Sequence, residues 1–459
     1  MKEFWRKRMV WNHNHAEALK SVFEALDSNN IKWMIMRNYE GLPEINTSKD
    51  IDIAIPRADW KKARKVIYSV LKERGFSHVL FTKFQSILCH TFYKFEGDEV
   101  IALKIDIFAC YEWRGAEYIS FEKLYSRSKI YNGMHVPDEV MDAVMLFLKP
   151  LLLGGVIKEK YEKIYKEIIP QNAQESKQIL SEILGEHEAE YLVNLVIEQK
   201  NSEIKEQYKT VRKKLWTKNF VKHPLCTVGR LVQHYWIEMR RRIFTFRNDV
   251  FAVLGSDGVG KSTFLELWKA LLVEHVPMEE KSIDIIHFRP NILPNIKKLL
   301  LGKKFDESKE DFNSPHRAQP AGTMSSLMRL SYYWLDYIIG VPIKLKKARL
   351  AGKYIVFDRY FHDFLVDPYR ARIKLPYGIR KFLFKLVHKP KITFVLLTDA
   401  KTIFQRKQEL ELEEIERQIS CYKRLINEKN VLALDAAQKP EDVAKEAFHK
   451  FILIVGEKI

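Results

Sequence analysis

The sequence predicts an α/β fold, with a parallel sheet in its second half and a separate mixed α/β domain at its start. The second half contains short apolar segments that alternate with helical or loop segments, a pattern typical of a parallel sheet with helices on both faces. These segments lie near 250–254, 283–288, 353–357, 391–397 and 431–434. A glycine-rich octet directly follows the first of them. Residues 1–137 mix alternating strand patterns with helical patterns, which predicts the separate domain.

The glycine-rich octet fits the pattern G-x-x-x-x-G-K-[ST]. It reads Gly255-Ser256-Asp257-Gly258-Val259-Gly260-Lys261-Ser262, and Thr263 opens a helical pattern. Backbone N–H groups of such a loop bind phosphates, the lysine reaches the outer phosphates, and the hydroxyl ligates Mg²⁺. The sequence therefore predicts a nucleoside triphosphate site over residues 255–263, with Lys261 as a catalytic cation and Ser262 as a metal ligand.

Charged residues follow the second and third apolar segments, at the sheet edge where ligands of parallel sheets bind. Arg289 comes after the second segment, and Asp358 and Arg359 come after the third. Phosphoryl transfer needs an oriented Mg²⁺ and cations around the moving phosphoryl group. We expect Asp358 to hold Mg²⁺, and Arg289 and Arg359 to clamp the acceptor phosphate or the transferred group.

A charged helical pattern follows the fourth apolar segment and contains Arg406, Lys407 and Arg417. One interpretation is a lid that closes over the donor and excludes water, with Arg406 in a catalytic role. The other is a solvated helix face whose basic residues pair with Glu409, Glu413 and Glu414.

These motifs resemble those of thymidylate kinases over residues 248–459. The octet resembles that family's phosphate loop, with the acidic Asp257 inside it, and Asp358-Arg359-Tyr360 is similar to its Asp-Arg-Tyr/His motif. The resemblance implies a P-loop kinase of the nucleoside monophosphate kinase type that uses ATP and Mg²⁺. It also implies that Asp257 faces the acceptor and that Arg289 is the family's phosphate-binding arginine.

Two segments depart from the thymidylate kinase pattern. A long basic insertion lies at about 291–323, and residues 363–370 resemble divergent thymidylate-kinase-like proteins associated with bacterial polysaccharide loci. The family's thymine-recognising stretch is not evident. The departures imply a nucleotide, sugar phosphate or glycan acceptor and poor activity on thymidine monophosphate.

Three aspartates stand out in the N-terminal segment. Asp50 and Asp52 alternate in one apolar strand pattern, which points both carboxylates to the same side, and Asp106 lies in a second strand pattern. Three carboxylates on adjacent strands can hold two Mg²⁺ ions for nucleotidyl transfer. Residues 20–110 resemble the nucleotidyltransferase superfamily, although residues 37–43 replace its Gly-Ser pair. There are two alternatives. The aspartates are exposed residues of an edge strand, or the domain is a degenerate one that binds a ligand without catalysing a reaction.

Between these domains we predict a helical middle region at 138–215 and a basic linker helix at 216–247. Within the middle region, the apolar stretch 140–157 is expected to form a buried helix pair broken at Pro150. The basic, aromatic-rich stretch 213–247 has three interpretations. It binds nucleic acid, it lies on an anionic membrane surface, or its aromatic side chains pack on a neighbouring domain.

Composition narrows the class of protein. The 459 residues carry a net charge of +18, which favours anionic partners. The four cysteines are scattered without a C-x-x-C pair, which fits a reducing cytoplasm and argues against a disulfide framework or a zinc site. The leading hypothesis is an ATP- and Mg²⁺-dependent phosphotransferase with a nucleotidyltransferase-like domain. The alternatives are a two-part toxin or defence protein, and a nucleotide-switched protein that binds nucleic acid or a membrane surface.

Overall fold

The computed structural model of the chain describes residues 11–97, 99–240, 250–276, 283–294, 322–351 and 353–459. The chain forms two compact units. The first holds residues 1–96, 100–241 and 456–459, and the second holds 97–99 and 242–455. The predicted division into four segments stays a prediction.

A six-stranded sheet forms the centre of the first unit, in the order β1-β2-β5-β4-β3-β15. Its strands are β1 (Met34–Ile35), β2 (Ile51–Ala54), β3 (His78–Lys83), β4 (Ile87–Glu96), β5 (Glu99–Phe108) and β15 (Glu457–Lys458). Strands β2 and β5 run parallel, whereas β1 pairs antiparallel with β2. Two hairpins follow β5: β6 (Cys110–Trp113) with β7 (Ala116–Ser120), and β8 (Ser128–Tyr131) with β9 (Met134–Pro137). The predicted mixed α/β character of the N-terminal segment is confirmed.

Helices cover this sheet and continue beyond it. They are α1 (His13–Ser28), α2 (Trp60–Glu73), α3 (Phe121–Ser126), α4 (Glu139–Leu153), α5 (Glu159–Gln171), α6 (Ala173–Leu184), α7 (Glu186–Ile197), α8 (Asn201–Glu206), α9 (Tyr208–Lys222) and α10 (Pro224–Arg240). Helices α1 and α2 share a hydrophobic core with Ile53 and Ile105 of the sheet, and α4 shares a second core with Ala54 and Phe108. Helices therefore pack on both faces of this sheet.

Two details of the helical region differ from the sequence predictions. The predicted break at Pro150 is wrong, because α4 continues through this proline to Leu153. Pro150 lies in the last turn, where its missing N–H removes only one helical hydrogen bond. The predicted single linker helix is two helices, α9 and α10, separated at His223. Residues 241–249, with the remaining arginines of this stretch, lie outside the described residues.

The second unit contains a five-stranded parallel sheet in the order β11-β12-β10-β13-β14. Its strands are β10 (Val250–Leu254), β11 (Ile283–His287), β12 (Tyr354–Asp358), β13 (Ile392–Leu397) and β14 (Val431–Asp435). The predicted α/β fold with a parallel sheet is confirmed. Since all five strands point the same way, their carboxyl ends meet at one edge.

Helices lie on both faces of the parallel sheet. They are α11 (Lys261–His275), α12 (Thr323–Ala351), α13 (Asp363–Val366), α14 (Tyr377–Leu386), α15 (Ala400–Arg406), α16 (Leu412–Leu425) and α17 (Pro440–Val455). On one face the Phe251 ring contacts Trp268 of α11 and Phe451 of α17. On the other face Leu254 shares a core with Tyr337 of α12 and with α16.

None of the helices in the described ranges is long and apolar enough to cross a membrane. The apolar helix α4 instead supplies buried side chains to the core of the first unit.

Candidate functional site

The glycine-rich loop joins β10 to α11 at the carboxyl edge of the parallel sheet. Gly255 has a φ of 148°, and a Cβ atom there would lie 2.9 Å from the carbonyl oxygen of Leu396. Gly260 has a φ of 104° and precedes the first residue of α11. Glycine tolerates both conformations without a Cβ clash. The loop thus ends at a helix N-terminus, where unpaired N–H groups and the helix dipole favour an anion.

Lys261 lies inside this loop. Its ammonium donates to the carbonyl oxygens of Gly255 and Ser256, each at 2.9 Å, and lies 3.7 Å from a carboxylate oxygen of Asp257. Burial, followed by the positive charge of Arg359, lowers the pKa of Lys261 to about 7. A phosphate beside the loop would offset both effects, because its negative charge favours the charged ammonium.

Asp358 ends β12 beside the loop and is paired in register with Val253 of β10. One carboxylate oxygen lies 2.9 Å from His287 Nδ1, whereas the other is buried and has no hydrogen-bond partner among the described residues. Ser262 stands in the first turn of α11. A carboxylate and a hydroxyl are hard oxygen ligands, and the unpaired oxygen of Asp358 gives a cation something to bind, so these residues fit Mg²⁺.

Arg359 is held in an uncommon backbone conformation, with a φ of 72°. Its N–H donates to the carbonyl of Val253 at 2.9 Å, and its guanidinium pairs with Asp257 and, at 2.6 Å, with Asp363. Asp257 also pairs with Arg370. A left-handed conformation costs a non-glycine residue about 1–3 kcal/mol, and such strain concentrates at functional sites. The structure thus places two arginines around the aspartate of the loop.

Arg289 lies after β11 in a segment organised by Asp336 of α12. The fully buried Asp336 carboxylate accepts the N–H groups of Asn291, Ile292 and Leu293 at 2.9–3.1 Å and lies 3.4 Å from Arg289 Nη1. Sequence reasoning missed Asp336, because a lone aspartate within an apolar helical pattern gives no sign of its distant partners. We infer that it positions the Arg289 segment.

We expect Asp336→Asn to loosen this segment. The amide keeps one acceptor oxygen but loses the charge, so buried N–H groups are left without a full partner, at about 3 kcal/mol. Hydrogen exchange at the amides of residues 291–293 should accelerate by about a hundredfold on that basis. Glu266→Gln, an exposed change within α11, is the matched control. Unchanged exchange in Asp336→Asn would show that the carboxylate does not hold the segment.

Arg406 lies beside the other end of the loop. Its Nη1 atom is 3.5 Å from the carbonyl oxygens of Val259 and Ala436. A cavity of about 300 Å³ opens here, and apolar residues contribute much of its lining, together with Arg406. These apolar residues are Val259, Phe264, Leu396, Ala436, Pro440 and Val443. The cavity adjoins the glycine-rich loop and offers an apolar surface of the kind that a flat ring can contact.

The predicted continuous charged helix is instead two helices, α15 and α16, separated by residues 407–411. Arg417 on α16 makes two 2.7 Å contacts with Glu414 and donates to the carbonyl of Val366 at 2.9 Å. Lys407 pairs with Glu409 at 3.0 Å. Arg406 therefore lies beside the loop. Arg417 and Lys407 instead pair with glutamates, as expected for a solvated helix face.

The segment 363–370 contributes more charged partners than its sequence indicated. Asp363 pairs with Arg359 and accepts from the Tyr422 hydroxyl at 3.3 Å, and Arg370 pairs with Asp257 and, at 3.6 Å, with Asp367. The signal that could have found them was the presence of two aspartates and an arginine within this short, otherwise largely apolar segment. The lysines of the basic insertion, Lys297, Lys298, Lys303 and Lys304, lie outside the described residues.

The first unit brings the three predicted N-terminal aspartates together. Asp52 of β2 and Asp106 of β5 are paired in register on parallel strands, and Asp50 directly precedes β2. One carboxylate oxygen from each of the three lies within 4.8 Å of the others. The alternative of exposed edge-strand aspartates is wrong, since β2 lies between β1 and β5 and the Asp52 side chain is only 2% exposed.

The charges around this aspartate cluster favour a bound cation. One oxygen of Asp52 pairs with Arg37, and the other is buried without a hydrogen-bond partner in the part of the chain that the structure describes. Burial, followed by the charges of Asp52 and Asp50, raises the pKa of Asp106 to about 7. Three crowded carboxylates with one unpaired oxygen fit the hard-oxygen donor set of Mg²⁺.

No protein-family model matches the chain, and no curated protein matches it. Among solved structures, the chain is similar to the crystal structure of thymidylate kinase from Ehrlichia chaffeensis. The similarity has a TM-score of 0.30 and 16% sequence identity, and it covers 44% of this chain and 98% of the kinase. A similarity this weak carries no argument about function, so the function has to be inferred from the residues of the site.

Proposed function

We propose that the second unit is a thymidylate-kinase-like P-loop phosphotransferase that transfers the γ-phosphoryl group of ATP. The observation that supports this most is the position of the Lys261 ammonium within the glycine loop, at the N-terminus of α11. Asp358 on the neighbouring strand and Arg359 beside Asp257 complete the set of charges that phosphoryl transfer requires.

The residues of the loop bind and orient the donor. Backbone N–H groups of the loop and the first turn of α11 would donate to the phosphates, and Lys261 would turn from the loop carbonyls to the β- and γ-phosphates. The cavity beside Arg406 would receive the adenine. Ser262 and Asp358 would hold Mg²⁺, which when bound neutralises charge on the β- and γ-phosphate oxygens.

The acceptor oxygen then attacks the γ-phosphorus, and the bond to the bridging oxygen breaks so that ADP leaves. Arg359 is placed to stabilise the negative charge that spreads over the transferred group. Arg359 and Arg370 both pair with Asp257, so a phosphorylated acceptor could replace this carboxylate as their partner. This favours an anionic acceptor, a sugar phosphate or a nucleotide, over a neutral glycan end.

A screen with [γ-³²P]ATP tests the proposal. Nucleoside monophosphates, sugar phosphates and glycans are offered in parallel to the full chain with Mg²⁺. We expect label transfer to a phosphorylated acceptor and poor transfer to thymidine monophosphate. A kcat/KM for thymidine monophosphate above about 10⁴ M⁻¹s⁻¹ would make the chain an ordinary thymidylate kinase. Failure to bind ATP at all would remove the kinase proposal itself.

We propose nucleotidyl transfer as a second activity, in the first unit. The specific observation is the approach of the Asp50, Asp52 and Asp106 carboxylates to within 4.8 Å, with one buried Asp52 oxygen unpaired. These three residues would hold Mg²⁺, which supplies charge at the α-phosphate and activates the attacking hydroxyl. Arg37, in the segment that replaces the family's Gly-Ser pair, keeps the Asp52 carboxylate in place.

Replacing both Asp52 and Asp106 by Ala should abolish transfer of label from [α-³²P]ATP to product and leave transfer of γ-label largely intact. The physical reason is that the metal loses two of its three carboxylates, whereas the loop residues of the second unit are untouched. The matched control replaces the exposed Glu24 and Glu203 by Ala. Loss of both activities in a folded double variant would show that the two sites act as one.

A further inference from the structure

Helix α10 has an inner face that packs on the first unit. The side-chain amide of Gln85 donates to the carbonyl of Arg230 at 2.9 Å, and a Cβ on Gly115 would lie only 2.7 Å from the nitrogen of Leu231. Thr227 on the same face is 3% exposed. These close contacts fix which side of α10 faces outward.

The opposite side of α10 is an exposed apolar stripe, which we call the outer stripe. Its six side chains are between 43% and 87% exposed. They are Leu225, Val228, Val232, Tyr235, Trp236 and Met239. With 3.6 residues per turn, all six fall within about 100° of the helix circumference, over a length of about 21 Å. A contiguous exposed apolar surface of this kind marks an interaction site.

The surroundings of the outer stripe are basic. Helices α9 and α10 together carry eight lysine and arginine residues and a single acidic residue, Glu238. Lys213, Lys214 and Lys222 on α9 and Arg240 on α10 are exposed. A partner that covers the stripe therefore has an apolar surface beside negative charges.

We propose that the outer stripe of α10 lies on an anionic lipid surface, with its apolar side chains in the boundary between headgroups and acyl chains. An amphipathic helix with lysine and arginine nearby has the composition of a helix that lies in the membrane interface. Trp236 and Tyr235 are the side-chain types enriched at that depth. Anionic headgroups complement the basic residues of both helices.

The apolar side chains of the outer stripe and the basic residues around it disfavour two other partners, nucleic acid and a second copy of the chain. Nucleic acid would satisfy the basic residues and stack on Tyr235 and Trp236, but it would leave Leu225, Val228 and Val232 without an apolar counterpart. A second copy of the chain would bring two strongly positive helix pairs together, and like charges oppose association. The inference goes beyond the two proposed reactions and does not depend on either.

Vesicle sedimentation of the full chain tests the proposal. We expect the wild type to bind vesicles of phosphatidylcholine with phosphatidylglycerol at least about tenfold more tightly than vesicles of phosphatidylcholine alone. The double variant Val232→Glu with Trp236→Glu should bind the anionic vesicles at least about tenfold more weakly, because it places charge within the stripe. Ile130→Glu is the matched control, since Ile130 is 61% exposed on β8 against 63% for Val232.

Circular dichroism and thermal unfolding establish that the double variant is folded. If it is not, Val232→Ser with Trp236→Ser takes its place, with the same expected direction. Wild-type vesicle affinity in a folded double variant would overturn the proposal. Two other results would also overturn it. One is a wild-type dimer in sedimentation velocity that the double variant loses while its vesicle binding persists. The other is a double variant that loses oligonucleotide binding but keeps wild-type vesicle binding.

Discussion

Replacing Lys261 by Ala should reduce γ-phosphoryl transfer by roughly a thousandfold or more, while the fold remains intact. The ammonium supplies positive charge at the outer phosphates, and no other described lysine is held within the loop. The protein should stay folded because burial already disfavours the charged form of this lysine, as its lowered pKa shows. The measurement is turnover of [γ-³²P]ATP with the acceptor found in the screen.

Lys445→Ala, an exposed change on α17, is the control for the loss of one lysine. Thermal unfolding of both variants separates a catalytic effect from a folding defect. Normal turnover in purified Lys261→Ala would refute the assignment of the octet as a phosphate-binding loop.

Asp358→Asn should impair turnover far more than ATP binding, by on the order of a hundredfold at limiting Mg²⁺. The amide keeps the shape and the contact with His287, but it removes the negative charge that the buried, unpaired oxygen offers to a cation. Raising the Mg²⁺ concentration should recover part of the activity, since weaker metal binding is then overcome by mass action.

The test measures ATP affinity and turnover across a Mg²⁺ titration. Asp284→Asn is the matched control, because Asp284 lies on the neighbouring strand β11 and its side chain is 47% exposed in an ion pair with Lys353. A surface pair of this kind contributes about 1 kcal/mol or less, so this variant should behave as the wild type. Normal turnover of Asp358→Asn at low Mg²⁺ would mean that Asp358 is structural.

Local sequence was sufficient for features formed by neighbouring residues. The glycine loop is one continuous octet between a strand and a helix, and its conformation depends on glycines within that octet. The five parallel strands were predictable because each is a short, mostly apolar run, and the three inner strands β10, β12 and β13 are buried over most of their length. Asp50 and Asp52 were predictable as a pair, since strand periodicity points both carboxylates to the same side, but the pairing of β2 with β5 is what brings Asp106 beside them.

Tertiary packing decided whatever depends on residues that are distant in sequence. Nothing near Asp257 indicates that Arg370 is its partner, and nothing near Asp336 indicates that it accepts three N–H groups of the Arg289 segment. The prediction of a helix break at Pro150 failed because burial of α4 outweighs one lost hydrogen bond in its last turn.

The sequence by itself thus determined the glycine-rich loop, the apolar strands of the parallel sheet and the shared side of Asp50 and Asp52, because these follow from local backbone freedom and from apolar periodicity. Only the tertiary structure decided that β2 is an inner strand, that Arg406 joins the loop while Arg417 pairs with Glu414, and which face of α10 is exposed. The physical reason is that burial and ion pairing depend on which distant segments meet in space, and local propensity carries no information about that choice.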